Sequence, residues 1–129
     1  MFDERSASSS TRALLDARKP GHTLPAALYT DQEAYKADCD IIFSRHWIAA
    51  GVACDVVEAG DVFAVDIGPA SILILRDDDN KLRAFHNVCS HRGSRLVAPG
   101  RSVVGKLVCP YHQWTYDLNG SLALAPHMG

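Results

Sequence analysis

The chain reads as a mainly β domain, a small antiparallel barrel or sandwich preceded by one amphipathic helix. Three observations predict this. After Trp47 the apolar residues recur with a period of two, in short stretches separated by turn residues. Near the end, Asn119-Gly120 lies between two such stretches, and Asn-Gly supplies the positive φ angles of a type I′ hairpin turn. Only one segment, beginning near Thr30, carries a sustained helical period. The chain has 129 residues, 22% charged and 47% hydrophobic, which suits one ordinary domain and not two. A domain of this size buries about two-thirds of the surface its unfolded chain exposes, so its core needs no disulfide staple.

The elements follow in order. Residues 1–23 read as a flexible arm, because Lys19-Pro20-Gly21 would break any helix begun at Ala13. The domain proper is expected over 24–129. Thr30 and Glu33 have capping-box spacing, and Tyr35, Cys39, Ile42, Phe43 and His46 then share one face, which predicts a helix of about 15 residues. Cys39 and His46 on that stripe read as core residues and not as ligands. Strands are predicted over 48–53, 62–67, 70–76 and 82–86. The run Asp77-Asp78-Asp79-Asn80 reads as a solvated hairpin turn; no bidentate Glu follows at calcium-loop spacing. Residues 115–118 and 121–125 form the second predicted hairpin.

Charge and hydropathy exclude several classes of function. Lys plus Arg number 13 against 15 Asp plus Glu, and no basic block exceeds two residues, so nucleic acid is not an expected partner. The longest apolar run, 70–75, is far short of the roughly 18 to 20 residues of a membrane span, so no membrane association is expected. The Ser-rich start carries Asp3 and Glu4 and has no apolar segment of the secretory kind. A cytoplasmic location is therefore expected, where cysteines serve metals or redox chemistry before disulfides.

Two segments carry the chemistry. One holds Cys89 and His91 in Cys89-Ser90-His91-Arg92-Gly93; the other holds Cys109 and His112 in Cys109-Pro110-Tyr111-His112. A zinc finger keeps its cysteines on one knuckle and its histidines on a following helix, so that all four converge on one ion. Here each loop mixes the two ligand types. Mixed pairs suit a [2Fe-2S] cluster in which one iron takes two thiolates and the other two imidazoles. A Cys2His2 zinc site and simple core placement are the alternatives. Gly93, Pro99, Gly100, Gly105 and Pro110 fit loops that fold backbone N–H groups around cluster sulfurs, favouring the reduced state.

Residues 87–94 (NVCSHRGS) and 107–116 (LVCPYHQWTY) resemble the Rieske domain of ring-hydroxylating oxygenase alpha subunits. Upstream, 14–31 and the His46-Trp47 pair are similar to the branch that demethylates quaternary ammonium compounds such as glycine betaine and proline betaine. The resemblance implies a Rieske-type small antiparallel β-barrel or sandwich, with a two-loop cluster-binding subdomain and one N-terminal amphipathic helix. It implies that Cys89 and Cys109 ligate one iron and His91 and His112 the other. It also implies a flavin- or ferredoxin-type reductase as electron donor and a catalytic domain holding mononuclear Fe(II) through two His and one carboxylate. In the family, the ligand that His112 matches meets an Asp of a neighbouring subunit in a homotrimer. Only 17 residues follow His112, so this chain is expected to be a fragment of an alpha subunit, with a stand-alone Rieske ferredoxin as the alternative. The expected parent is a monooxygenase or demethylase; an aromatic-ring dioxygenase is the runner-up.

The respiratory Rieske type does not fit. It carries two further loop cysteines, paired as a disulfide, where this chain has Ser94 and Tyr111, and a potential-raising Ser where this chain has Trp114. The resemblance therefore implies a reduction potential at the low end of the Rieske range, about −150 mV. Gln113 stands where many oxygenases have Gly or Ala, a departure the quaternary-ammonium branch shares. Trp114 and Tyr116 are expected to pack under the second loop. Arg92 and Arg95 read either as a docking or charge-offsetting pair or as ordinary solvated residues.

Overall fold

The computed structural model describes residues 9–128. Between Ala49 and Ala50 the chain divides into two compact units. In the first, helix α1 spans Ser9–Asp16, within the segment expected to be a loose arm. A 3-10 turn at Ala26–Tyr29 leads to α2, Gln32–Asp38, which continues as a π-helical turn over Cys39–Phe43. The expected capping box is not the cap used. Asp31 caps α2, its carboxylate accepting the Ala34 N–H at 2.9 Å. An Asp immediately before the helix does at once what Thr30 could do only by extending the helix a residue further.

The stripe of α2 also departs from expectation. Cys39 is buried, as its reading required, but Tyr35, Ile42, Phe43 and His46 are exposed and Trp47 is fully so. The π turn over Cys39–Phe43 breaks the 3.6 period that would place Ile42, Phe43 and His46 with Cys39, while Tyr35, before the turn, is exposed on α2 itself.

The second unit holds two antiparallel sheets. The first consists of β1 (Asp61–Ile67), β2 (Ala70–Arg76), β3 (Leu82–His86) and β4 (Gly100–Val103), in the spatial order β3-β2-β1-β4. The second consists of β5 (Leu107–Val108), β6 (Thr115–Tyr116) and β7 (Leu122–Leu124), in that order. In β1 and β2 the period of two sets the register: Val62 faces Leu75 and Ala64 faces Leu73, and all four are buried. A one-residue slip would turn this set outward. Val62, Ala64, Leu73 and Leu75 form one core with Leu107, Trp114, Tyr116, Leu118 and the two cysteines Cys89 and Cys109. Both cysteines are thus held by the core that joins the sheets.

Two expectations are corrected here. Residues 48–53 form no strand; a 3-10 turn occupies Ala53–Asp55, where the Asp55 carboxylate accepts the Val52 N–H at 3.1 Å and pairs with Arg101. The Asn119-Gly120 turn is not type I′, since Gly120 has φ +92° but Asn119 is not among the residues with positive φ. Instead, Asp117 N–H donates to Ser121 O and Gly120 N–H to Asp117 O, each at 2.9 Å. The turn at Asp77 has the same two bonds, with Asn80 at φ +60° in place of Gly120. Both are three-residue hairpin loops closed by a left-handed residue.

The acidic run is solvated only in part. Asp78 and Asp79 are exposed, but Asp77 is buried, receiving Arg83 Nε at 2.8 Å and the Lys81 N–H at 2.7 Å. Burial pushes its carboxyl up, yet the Arg83 guanidinium and the Lys81 and Asp79 backbone N–H groups outweigh this and hold it below the ordinary carboxylate range.

Candidate metal centre

Two loops project from these sheets, one between β3 and β4 and one between β5 and β6. They share one backbone pattern. In the first, Cys89 N–H donates to Ser94 O at 2.8 Å and Gly93 N–H returns to Cys89 O at 2.9 Å. In the second, Cys109 N–H donates to Trp114 O at 2.8 Å and Gln113 N–H returns to Cys109 O at 3.0 Å. The fourth residue after each Cys must be left-handed to close such a loop: Gly93 has φ +72° and Gln113 φ +62°. Gly93 does this without strain. Gln113 reaches the same conformation against the steric cost of a Cβ.

All four predicted site residues lie in these loops, and the structure sorts them by depth. Cys89 and Cys109 are 1% and 2% exposed, at the base. His91 and His112 are half-buried nearer the tip, their ring centroids 4.8 Å apart at an interplanar angle of 65°. Among the described residues, no three His, Cys, Asp or Glu side chains are grouped as a single ion would need. Two thiols below two imidazoles is instead the order a two-iron cluster asks of its ligands.

The chemistry of these groups fits such a cluster. His112 Nδ1 is buried and has no hydrogen-bond partner, an unusual state for a ring nitrogen unless it is kept for a ligand. Burial, with the positive charges of His91, Arg92 and His127, holds the His112 ring toward its neutral, lone-pair-bearing form. Burial pushes the Cys109 thiol up, but the Tyr111 and His112 backbone N–H groups, with the Cys89 and Ser94 side chains, more than reverse this. The net shift is toward thiolate, the form that binds metal.

One residue the sequence did not single out, Asn87, helps build the site. Buried Asn87, two positions before Cys89, accepts the Leu96 and Val97 N–H groups, each at 3.0 Å, and donates to Val97 O at 2.7 Å and Ser71 Oγ at 3.2 Å. It closes the exit of the first loop onto β2. Tyr116 and Trp114 do more than pack beneath their own loop. The Tyr116 hydroxyl accepts the Ser90 N–H at 3.0 Å and lies 3.3 Å from Cys89 Sγ, while Trp114 stacks on His91. Nothing in the local sequence signals either cross-loop contact. The two arginines part company: Arg95 pairs with Asp66 on β1 at 3.2 Å, and exposed Arg92 contributes positive charge at His112.

Comparison with known proteins agrees with this geometry. Residues 46–129 match the Rieske [2Fe-2S] domain family. The oxygenase subunit of glycine betaine monooxygenase from Pseudomonas aeruginosa is 41% identical over 119 residues, covering 92% of this chain and 28% of that protein. The oxygenase subunit of carnitine monooxygenase from Escherichia coli is 38% identical over 80% of this chain and 28% of its own length. Among solved structures, a quaternary ammonium Rieske monooxygenase aligns with a TM-score of 0.71 at 37% identity, over 81% of this chain and 29% of that one. Naphthalene 1,2-dioxygenase from Rhodococcus sp. aligns with a TM-score of 0.80 at 28% identity, over 94% and 28%. The chain therefore spans less than a third of the length of these relatives. Two loops of one backbone design, each offering a buried thiol and a half-buried imidazole, and a family match that begins at His46 and runs through both loops, lead to one conclusion: the chain belongs to the Rieske [2Fe-2S] domain family.

Proposed function

We propose that this chain is the electron-transfer portion of a non-haem iron oxygenase that hydroxylates, and so demethylates, a quaternary ammonium substrate. The observation that carries the site assignment is the pair of equivalent loops, with two buried cysteine sulfurs beneath two imidazoles and one imidazole nitrogen left without a partner. Cys89 and Cys109 would hold one iron through sulfur, and His91 and His112 the other. When bound, the [2Fe-2S] cluster supplies one-electron chemistry, drawing from a flavin- or ferredoxin-type reductase and serving a mononuclear Fe(II) in the catalytic domain of the parent subunit.

The residues of this chain prepare the site for that role. The core around Cys89 and Cys109 excludes water from the sulfur side, which raises the strength of every N–H directed at sulfur. The half-buried histidines form the exposed end, the side from which a partner can approach. By analogy with the family, His112 faces the catalytic domain of a neighbouring subunit in a homotrimer. Four free cysteines suit a reducing, cytoplasmic setting. Among the described residues, no helix is long and apolar enough to cross a membrane.

The substrate class rests on likeness to glycine betaine, carnitine and choline monooxygenases. Naphthalene dioxygenase, with the broader structural coverage, favours a second reading in which the parent hydroxylates an aromatic ring. Anaerobic purification, iron and sulfide analysis, and EPR of the dithionite-reduced protein test the site. Equal iron and sulfide with a rhombic signal of low average g is expected. One zinc with no sulfide and no signal would overturn the assignment. Oxygen uptake by the full-length parent with betaines, against aromatic hydrocarbons, separates the two substrate readings.

A further inference from the structure

We propose that Trp114 is a positioning residue, which reaches from the second loop to fix the ring plane of His91 and so ties the two loops together without a covalent bond. The proposal rests on the ligand assignment above. The Trp114 indole is buried and lies 4.8 Å from the His91 ring, centroid to centroid, at an interplanar angle of only 7°. That is offset stacking, the favoured geometry for an aromatic pair. A side chain that merely filled the core would have no reason to lie parallel to a histidine on another loop.

The position of the indole is itself fixed. The Trp114 carbonyl accepts the Cys109 N–H at 2.8 Å, and Gln113 at φ +62° turns the chain into it. His91, by contrast, is followed on its loop by the exposed residues Arg92 and Gly93. Among the described residues its ring stacks on Trp114 and meets the His112 ring at 65°, and together these contacts define one orientation. An imidazole that has given its lone pair to a cation is electron-poor, and an electron-rich indole face stabilises it further. The stack is thus stronger for the ligated ring than for the free one.

The contact also crosses the gap that a disulfide would otherwise span. All four cysteines are free, and other cross-loop ties include the Tyr116 hydroxyl on Ser90 and Cys89, and the Ser94 side chain on Cys109. The His91 ring itself is met across the loops by Trp114 and by its fellow candidate ligand His112, and Trp114 is the one of these two that is not a ligand.

The test compares the cluster-loaded full chain with Trp114→Phe and Trp114→Leu. Two readouts are taken: iron release from the reduced protein to a ferrous chelator, and the nitrogen hyperfine couplings of the two histidine ligands by pulsed EPR. Trp114→Leu is expected to release iron about threefold to tenfold faster, the factor one stacked aromatic pair corresponds to. It is also expected to shift or broaden one histidine coupling while leaving the other unchanged, and Trp114→Phe should restore most of both. Unchanged couplings and release in Trp114→Leu would overturn the proposal. So would equal disturbance of both histidines, which marks general loosening. A parent protein with no Rieske signal would overturn the ligand assignment instead, and that is seen before any variant is made.

Discussion

Replacing Tyr116 with Phe deletes one oxygen that has two contacts, the Ser90 N–H at 3.0 Å and Cys89 Sγ at 3.3 Å. Because the oxygen accepts from Ser90, its own proton is free to point at the sulfur. A reduced cluster carries one more negative charge than an oxidised one, so a donor to a ligating sulfur favours reduction and its loss lowers the potential. A hydrogen bond to a charged group is worth about 1.5 to 3 kcal/mol, of which only the difference between oxidation states acts on the potential. Taking about 1 kcal/mol for that difference, with 59 mV per tenfold for one electron, gives a fall of about 40 mV in Tyr116→Phe. The Ser90 N–H also loses its acceptor, so stability should fall by about 1 to 3 kcal/mol. The assay is an EPR-monitored redox titration, with circular dichroism to confirm folding. A potential unchanged within about 10 mV, or raised, would refute the reasoning.

Three further outcomes are expected. The wild-type midpoint should lie near the low Rieske limit of about −150 mV, since Trp114 supplies no hydroxyl where the respiratory type has one; a voltammetric midpoint well above zero contradicts this. Asn87→Ala leaves the Leu96 and Val97 N–H groups without their acceptor and should lower stability by about 3 kcal/mol in urea unfolding, whereas a loss within error would show that the loop exit is held otherwise. Asp77 has its folded pKa depressed, so its contribution is present above the unfolded value of about 3.9 and is lost as pH falls through the folded one. Asp77→Asn should therefore be less stable at neutral pH and show a shallower loss below about pH 4, measured by urea midpoints across pH; parallel curves for the two proteins would refute the role.

What could be read from the residues followed from how local the cause was. In β1 and β2 burial alternates along the strand itself, so Val62, Ala64, Leu73 and Leu75 declare the sheet. Strand β4, Gly100–Val103, was invisible because Arg101, Ser102 and Val103 are all exposed, so burial does not alternate along it as it does along the other edge strand, β3. It exists through pairing with β1, which no local pattern records. At 48–53 an apolar stretch of strand-like composition was overridden by Asp55, whose carboxylate takes the Val52 N–H into a turn. The hairpin at Asn119-Gly120 was legible as a turn but not as a type, since Asp117 begins a loop one residue longer than the dipeptide suggests.

The candidate ligands were legible because each loop carries one Cys and one His within four residues, a local pattern, whereas the backbone bonds that close both loops on a left-handed fourth residue were not. The Cys-to-His spacing nevertheless differs between them. His91 is the second residue after its Cys and His112 the third, so on one backbone design the two imidazoles occupy different positions. In the second loop Tyr111 takes the place that His91 has in the first, and its ring lies 3.8 Å from His112. Trp114 takes the place of Ser94, and from there its indole reaches His91. Each histidine is therefore backed by an aromatic residue of the second loop, Tyr111 on His112 and Trp114 on His91. At the matching places the first loop has His91 itself and Ser94. The first loop is in turn tied to its surroundings by Asn87 at its exit and by the Tyr116 hydroxyl on Ser90.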